Sequence, residues 1–232
     1  MIMAKNTKKT DQNKAWNRRT SGEGPSVESR AAYTKRFLII CEGVNTEPCY
    51  FKCFPVATAQ VEAFGLGRSK TSLVEQVVEL VDQEKPDPER EVWIVFDMDF
   101  DKEKDAAMQR ADFNQAVRLA ENQGFRVAYS NDAFELWFVL HYQLLESALT
   151  RAEYYESLSK HWEMSYERQG KGAQFCREVY QRLLNDPKSN QASAIRHAER
   201  LFQQQADNQP AEQNPCTTVY QLVAELNKHL RK

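Results

Sequence analysis

The chain has 232 residues, of which 41% are hydrophobic and 28% are charged, and its formal net charge is −2. This length and composition allow one sizeable α/β domain with a packed core, alone or with a helical extension. No apolar run reaches the roughly 18 residues of a membrane span, and the N-terminus lacks the apolar stretch of a secretory signal, so we expect a cytoplasmic protein without a membrane partner.

The chain has five cysteines, an odd number without C-x-x-C spacing. This pattern argues against a disulfide framework and against a structural zinc site. Cys49 and Cys53 stand at helical i, i+4 spacing, but a zinc site would need two more soft ligands near them. Reduced cysteines in the cytoplasm are the simpler interpretation.

Residues 1–36 are rich in lysine and arginine and contain few apolar groups. Such a segment cannot bury enough surface to fold alone, so we predict a disordered basic arm. A flexible basic arm can add affinity for phosphates that does not depend on nucleic-acid sequence. A solvated tail with no partner is the alternative.

Strand and helix patterns alternate from residue 37 to residue 129. The strands are short apolar runs, and the best-supported helix has valines at i, i+3, i+4 and i+7. Thr46 is the expected N-cap of the first helix. The alternation predicts βαβ units and a mostly parallel sheet. We predict strands at 37–41, 60–64, 91–96 and 126–129, and helices from 47, over 72–84 and over 106–122.

After Phe134 the strand patterns give way to helical patterns. Residues 37–145 are therefore predicted to form an α/β domain, and residues 146–232 an all-helical C-terminal extension. The predicted helices cover residues 134–145, 151–164, 172–185, 189–206 and 217–230.

Acidic residues follow two of the predicted strands. Glu42 comes directly after the first strand, and Asp97 and Asp99 come directly after the strand at 91–96. In a parallel sheet these strand ends meet at the edge where ligands bind. If the chain stays extended, Asp97, Asp99 and Asp101 point the same way, which suits Mg²⁺ or Mn²⁺. The alternative is that these are solvated acids that form turns.

Four further side chains are candidate site residues, and Glu135 is expected at the same edge. Glu135 follows the strand at 126–129 and could be another metal ligand, or an acid favoured by a helix N-terminus. Asn131, with its neighbour Ser130, could contact a phosphate or cap the helix. Lys171 lies between two glycines and could contact a phosphate. His141 is a packing histidine or, less simply, a catalytic base.

Four segments resemble motifs of the RloB-like family, in the same order along the chain. They lie at residues 37–51, 92–99, 130–141 and 214–219, and the resemblance spans roughly residues 36–230. The chain departs from the family pattern at Asp132 and Ala133, where proline and cysteine are expected, and at Cys216, where serine is expected. The acidic residues are unaffected by these departures.

The resemblance implies a Toprim-like fold and its metal site. Glu42 would match the glutamate that serves as a metal ligand or general acid/base, and Asp97 and Asp99 would match the Asp-x-Asp metal ligands. The family is associated with restriction loci and phage resistance, which implies a metal-dependent nuclease acting in abortive infection. DNA is the first expectation for the substrate, by analogy with related Toprim nucleases, and RNA, including tRNA, is the second.

A non-catalytic metal-binding regulatory module remains an alternative function. The chain contains no G-x-x-x-x-G-K-[ST] segment, so any dependence on ATP would have to come from a separate ATPase partner. The sequence does not indicate an oligomeric state.

Overall fold

Four parallel strands and one short antiparallel strand form the central sheet, in the order β2-β1-β3-β4-β5. The structure is a computed structural model that describes residues 35–68 and 70–231. Most of the predicted basic arm, residues 1–34, lies outside the described residues. The strands are β1 (Lys35–Cys41), β2 (Ala59–Gly65), β3 (Arg90–Asp97), β4 (Arg126–Asn131) and β5 (Cys216–Thr217).

Helices connect the parallel strands, and further helices come after β4 in the chain. The first four helices are α1 (Thr46–Lys52), α2 (Lys70–Asp82), α3 (Ala106–Asn122) and α4 (Glu135–Val139). The later helices are α5 (Arg151–Trp162), α6 (Tyr166–Gln169), α7 (Ala173–Asn185), α8 (Gln191–Gln204), a 3-10 turn (Pro210–Glu212) and α9 (Val219–Asn227). None of the helices in residues 35–68 and 70–231 is long and apolar enough to cross a membrane.

The sheet is buried on both faces, which explains why its central strands are continuous apolar runs. In β1, Phe37 and Ile39 pack into one hydrophobic cluster, while Leu38 and Ile40 pack into the other. Alternate residues of a strand point to opposite faces, so each face has its own layer of helices. The predicted α/β class, with a mostly parallel sheet flanked by helices, is confirmed.

Two predicted boundaries near the start of the fold are wrong. Lys35 and Arg36 were assigned to the arm, but they pair with β2 as the first residues of β1. Their side chains form ion pairs with Glu91 and Asp87. Thr46 is the first residue of α1 rather than its N-cap, and its hydroxyl lies 3.8 Å from the Cys176 sulfur in the interior.

The C-terminal extension is not all helical, because β5 adds a strand to the sheet. Its two residues pair antiparallel with the end of β4. The Thr217 hydroxyl lies 2.9 Å from the Ser130 hydroxyl, and the Tyr129 N–H donates to the Thr218 hydroxyl at 2.9 Å. A two-residue strand has too little periodicity to be detected in the sequence. The extension therefore completes the sheet beside the end of β4.

Candidate active site

Glu42 and Asp97 lie side by side at the carboxyl ends of β1 and β3. The backbone of Glu42 is held on both sides, since its N–H donates to the Val95 carbonyl at 2.8 Å and its carbonyl accepts from the Gly67 N–H at 3.1 Å. The Asp97 N–H donates to Glu42 Oε2 at 3.3 Å. Neighbouring parallel strands thus fix both acids at one edge of the sheet, as predicted.

Asp97 is at the centre of a group of carboxylates. Its Oδ2 accepts from the Phe134 N–H at 2.9 Å, whereas its buried Oδ1 has no hydrogen-bond partner among the described residues. Burial raises the pKa of Asp97 well above its ordinary value, and three neighbouring carboxylates raise it further. They belong to Glu47, Glu135 and Glu42. This concentration of negative charge around an unpaired oxygen favours a bound cation.

Glu47 is a member of this group that the sequence analysis missed. It lies in the first turn of α1, and its side chain is buried. Burial, followed by the charges of Glu135 and Glu42, raises the pKa of Glu47 to about 7. A methyl group on Gly43 would overlap the Glu47 carboxylate, so the glycine makes room for this side chain. The sequence feature that could have identified Glu47 is its position five residues after Glu42, within the segment at residues 37–51.

Glu135, predicted for this edge, and Lys171, predicted as a phosphate contact, line one pocket with Glu42, Glu47, Asp97 and Asp99, which we call the acidic pocket. Glu135 begins α4 and is only 3% exposed. The Tyr166 hydroxyl donates to Glu135 Oε1 at 3.1 Å, and Lys171 Nζ lies 3.8 Å from the same oxygen. Burial lowers the pKa of Lys171, but the Glu135 charge and the contact with Tyr155 together outweigh burial, and the net shift is upward. The helical extension therefore supplies a cation to the site.

Two further cations were not predicted. Lys70 Nζ, at the start of α2, lies 3.8 Å from Glu42 Oε1. Arg151 Nη1, at the start of α5, lies 2.7 Å from Asp99 Oδ1. Arg151 is 52 residues from Asp99 in the chain, so no local pattern could associate them. With Lys171, these side chains give the acidic pocket a rim of positive charge that can face a phosphate.

The three aspartates after β3 do not share one direction. Asp99 has a φ of 45°, so the chain turns there instead of remaining extended. Asp99 stays at the mouth of the pocket, but Asp101 does not line it. Asp101 pairs with Lys104 at 3.2 Å and accepts from the Glu103 N–H at 3.0 Å. Because of this turn, the structure does not bring Asp101 together with Glu42 and Asp97.

The polar residues at the end of β4 are used inside the fold. The Asn131 amide is buried and donates to the Ala211 carbonyl at 3.1 Å, and Ser130 bonds Thr217. Neither caps α4, and Asn131 lines a neighbouring cleft rather than the acidic pocket. His141 is buried with its Nδ1 2.9 Å from the Trp137 carbonyl, as expected of a packing histidine.

The donors fit Mg²⁺ or Mn²⁺ in type and charge, because both ions prefer carboxylate oxygens. The pocket has a volume of about 220 Å³ and is lined by Asp97, whose buried Oδ1 has no hydrogen-bond partner among the described residues. As placed, no three His, Cys, Asp or Glu side chains within residues 35–68 and 70–231 surround a single ion position. Binding would therefore require Glu42 or Glu135 to rotate from its lysine toward Asp97.

The comparison with protein families decides which family this is. The profile of the RloB-like protein family matches residues 37–226. The chain belongs to the RloB-like family. No curated protein and no solved structure matches it. The RloB-like region includes both strand ends of the acidic pocket and the helical segment that supplies Arg151 and Lys171, so the whole site lies within the family's own sequence.

Proposed function

We propose that this RloB-like protein is a nuclease that depends on Mg²⁺ or Mn²⁺. The observation that carries the proposal is Asp97 Oδ1, a buried carboxylate oxygen without a partner among the described residues, with three further carboxylates lining the same pocket. Glu42, Glu47, Asp97 and Glu135 would hold the ion, with Asp99 at the mouth of the pocket. When bound, the ion supplies activation of water and charge stabilisation for phosphodiester cleavage.

The cations at the rim have a separate task in this proposal. Lys70, Arg151 and Lys171 each face a carboxylate. Once those carboxylates turn toward an ion, the three side chains are available to the oxygens of a phosphate. Arg151 is the best suited of them, because a guanidinium can bind two phosphate oxygens at once.

The biological role follows from the family and not from the site. Because RloB-like proteins are associated with phage resistance, we place the nuclease in antiphage defence in the cytoplasm. DNA is the favoured substrate by analogy with Toprim nucleases, and RNA, including tRNA, is the alternative. Any ATP-dependent control would come from a separate ATPase.

A non-catalytic regulatory module is the second candidate function. This function is favoured by the ion pairs that Glu42, Glu135 and Asp99 form with basic side chains. In these pairs the positive side chains balance the charge of the carboxylates, so no metal is needed to balance it. In that case a metal would not change the protein's chemistry, and nucleic acid would not be cut.

Cleavage by purified protein distinguishes the two functions. Supercoiled plasmid, single-stranded DNA and total RNA are incubated with Mg²⁺, Mn²⁺ or EDTA, using wild type, Glu42→Gln and Asp97→Asn. Asp207→Asn, an exposed position after α8, is the control for the aspartate change. We expect cleavage that requires metal and is lost in the two site variants only. Cleavage that persists in both site variants, or in EDTA, would refute the assignment.

A further inference from the structure

A second and larger cavity adjoins the acidic pocket. Its volume is about 810 Å³, within the range of roughly 300–1,000 Å³ for small-ligand sites. Asp99 and Arg151 line both cavities, so the second one continues directly from the first. We call it the flanking cleft. Its walls include Met98, Phe100, Lys102, Arg110, Leu149 and Asn214.

Among the residues that line the flanking cleft, Phe100 indicates most about the kind of ligand that could bind there. It is one of the few large apolar side chains among the described residues with substantial exposure, at 37%. Its position is fixed, because the Phe100 N–H donates to Asp132 Oδ1 at 2.8 Å. Leu149 and Ala148 add apolar surface. An exposed aromatic ring beside a phosphate-cutting site is the usual platform on which an unpaired base stacks.

Acidic and basic side chains are equal in number in the lining of the flanking cleft. Two of the acids pair with two of the cations, Asp99 with Arg151 and Asp101 with Lys104, whereas Asp132 accepts from the Phe100 N–H and keeps its charge.

Lys102 and Arg110 are exposed, and among the described residues neither has an acidic partner. They equal in number Asp132 and Glu212, the acids of the cleft that pair with no cation among the described residues. Lys102 and Arg110 are therefore available to contact the phosphates of a ligand.

We propose that the flanking cleft holds an unpaired nucleotide next to the phosphodiester in the acidic pocket, and that the substrate is single-stranded nucleic acid. The base would stack on Phe100, while Lys102 and Arg110 would contact backbone phosphates. A base within a duplex is already stacked on its neighbours, so reaching Phe100 would require it to unstack and unpair. The position of the scissile bond in this proposal rests on the proposed nuclease function, whereas the stacking site does not.

Binding in EDTA tests the proposal without any cleavage. Fluorescence anisotropy is measured with short labelled single-stranded DNA, single-stranded RNA and a DNA duplex of the same sequence. The proteins are wild type, Phe100→Ala, Phe100→Tyr and the double variant Lys102→Ala/Arg110→Ala. Leu184→Ala is the control, because it truncates an exposed apolar side chain on α7 outside the flanking cleft.

We expect a single strand to bind more tightly than the duplex. Loss of one stacked base should weaken single-strand binding by about 5- to 150-fold in Phe100→Ala, whereas Phe100→Tyr should retain the affinity. Lys102→Ala/Arg110→Ala should reduce the dependence of affinity on salt by about one or two phosphate contacts. The DNA and RNA probes show which backbone is preferred.

The proposal is overturned if wild type binds neither single strand, if the duplex binds more tightly, or if Phe100→Ala binds as well as Leu184→Ala. These outcomes are separate from failure of the nuclease assignment. Metal-dependent cleavage that is equal in wild type and Phe100→Ala would support the nuclease assignment and contradict the stacking site. Single-strand binding through Phe100 without any cleavage would support the stacking site and contradict the nuclease assignment.

Discussion

Asp97→Asn should make the metal-free protein more stable while removing its response to metal. Asparagine keeps an oxygen for the Phe134 N–H, which Asp97 Oδ2 accepts in the wild type. At the position of the unpaired Oδ1, asparagine has an N–H donor. The aspartate oxygen repels the neighbouring carboxylates, whereas this N–H group can donate to them. The substitution therefore removes an unfavourable charge without removing the hydrogen bond that orients α4.

The size of the effect follows from the cost of a buried polar group without a partner. That cost is about 1–3 kcal/mol, which corresponds to a rise in Tm of about 2–12 °C for a chain of this length. Because the folded-state pKa of Asp97 is raised, its ionised form destabilises the protein most at high pH, so the gain of the variant is largest there. Metal reverses the order, since an ion at 1,000 times its Kd stabilises wild type by about 4.1 kcal/mol, which exceeds the gain of the variant.

Thermal unfolding at pH 8, in EDTA and in excess Mg²⁺ or Mn²⁺, measures both effects. The account predicts that Asp97→Asn melts above wild type in EDTA and below it in metal. Asp207→Asn should follow wild type in both conditions. The reasoning is refuted if Asp97→Asn is less stable than wild type in EDTA, or if metal stabilises the variant as strongly as wild type.

Three further predictions concern residues around the pocket and in the core. Gly43→Ala should displace the Glu47 carboxylate and abolish the shift in Tm caused by metal, whereas Gly124→Ala, which meets no neighbouring atom, should only add backbone strain at a φ of 74° and keep the shift. Burial lowers the pKa of His141 to about 4, so the folded state resists protonation, and stability should fall by up to about 3 kcal/mol as the pH drops from about 6.5 to 4. Urea unfolding across that range should show a smaller fall in His141→Gln, and equal slopes in the two proteins would contradict the shift. Tyr50→Phe leaves the buried Trp137 indole N–H, which donates to the Tyr50 hydroxyl at 2.9 Å, without this acceptor. Urea unfolding should show a loss of about 1–3 kcal/mol with the metal response retained, and an unchanged midpoint would argue against this bond.

The sheet could be predicted from the sequence because its strands are buried on both faces. Such strands appear as uninterrupted apolar runs, as at residues 37–41 and 91–96, and the alternation with helices made a parallel arrangement the natural consequence. β5 could not be found in this way, since two residues carry no period. Its pairing with β4 is a tertiary contact across 87 residues, from Ser130 to Thr217.

Only part of the site was available to sequence reasoning. Glu42 and Asp97 could be predicted because strand ends lie at known places in a parallel sheet. Asp101 was grouped with them in the sequence, but it does not line the pocket, because one backbone angle, the φ of Asp99, decides where the next residues point. Lys70 and Arg151 were missed because the start of α2 and the start of α5 come together with the strand ends only in the folded chain.

The central claim is that the acidic pocket cuts phosphodiesters with a bound divalent ion. The most direct test is the initial rate of cleavage of single-stranded nucleic acid in Mn²⁺, compared between wild type and Asp97→Asn prepared in the same way. The account predicts a rate that EDTA abolishes and that falls about 100-fold or more in the variant. Equal rates in the two proteins would contradict it, because the cleavage would then not use the carboxylate at the centre of the site.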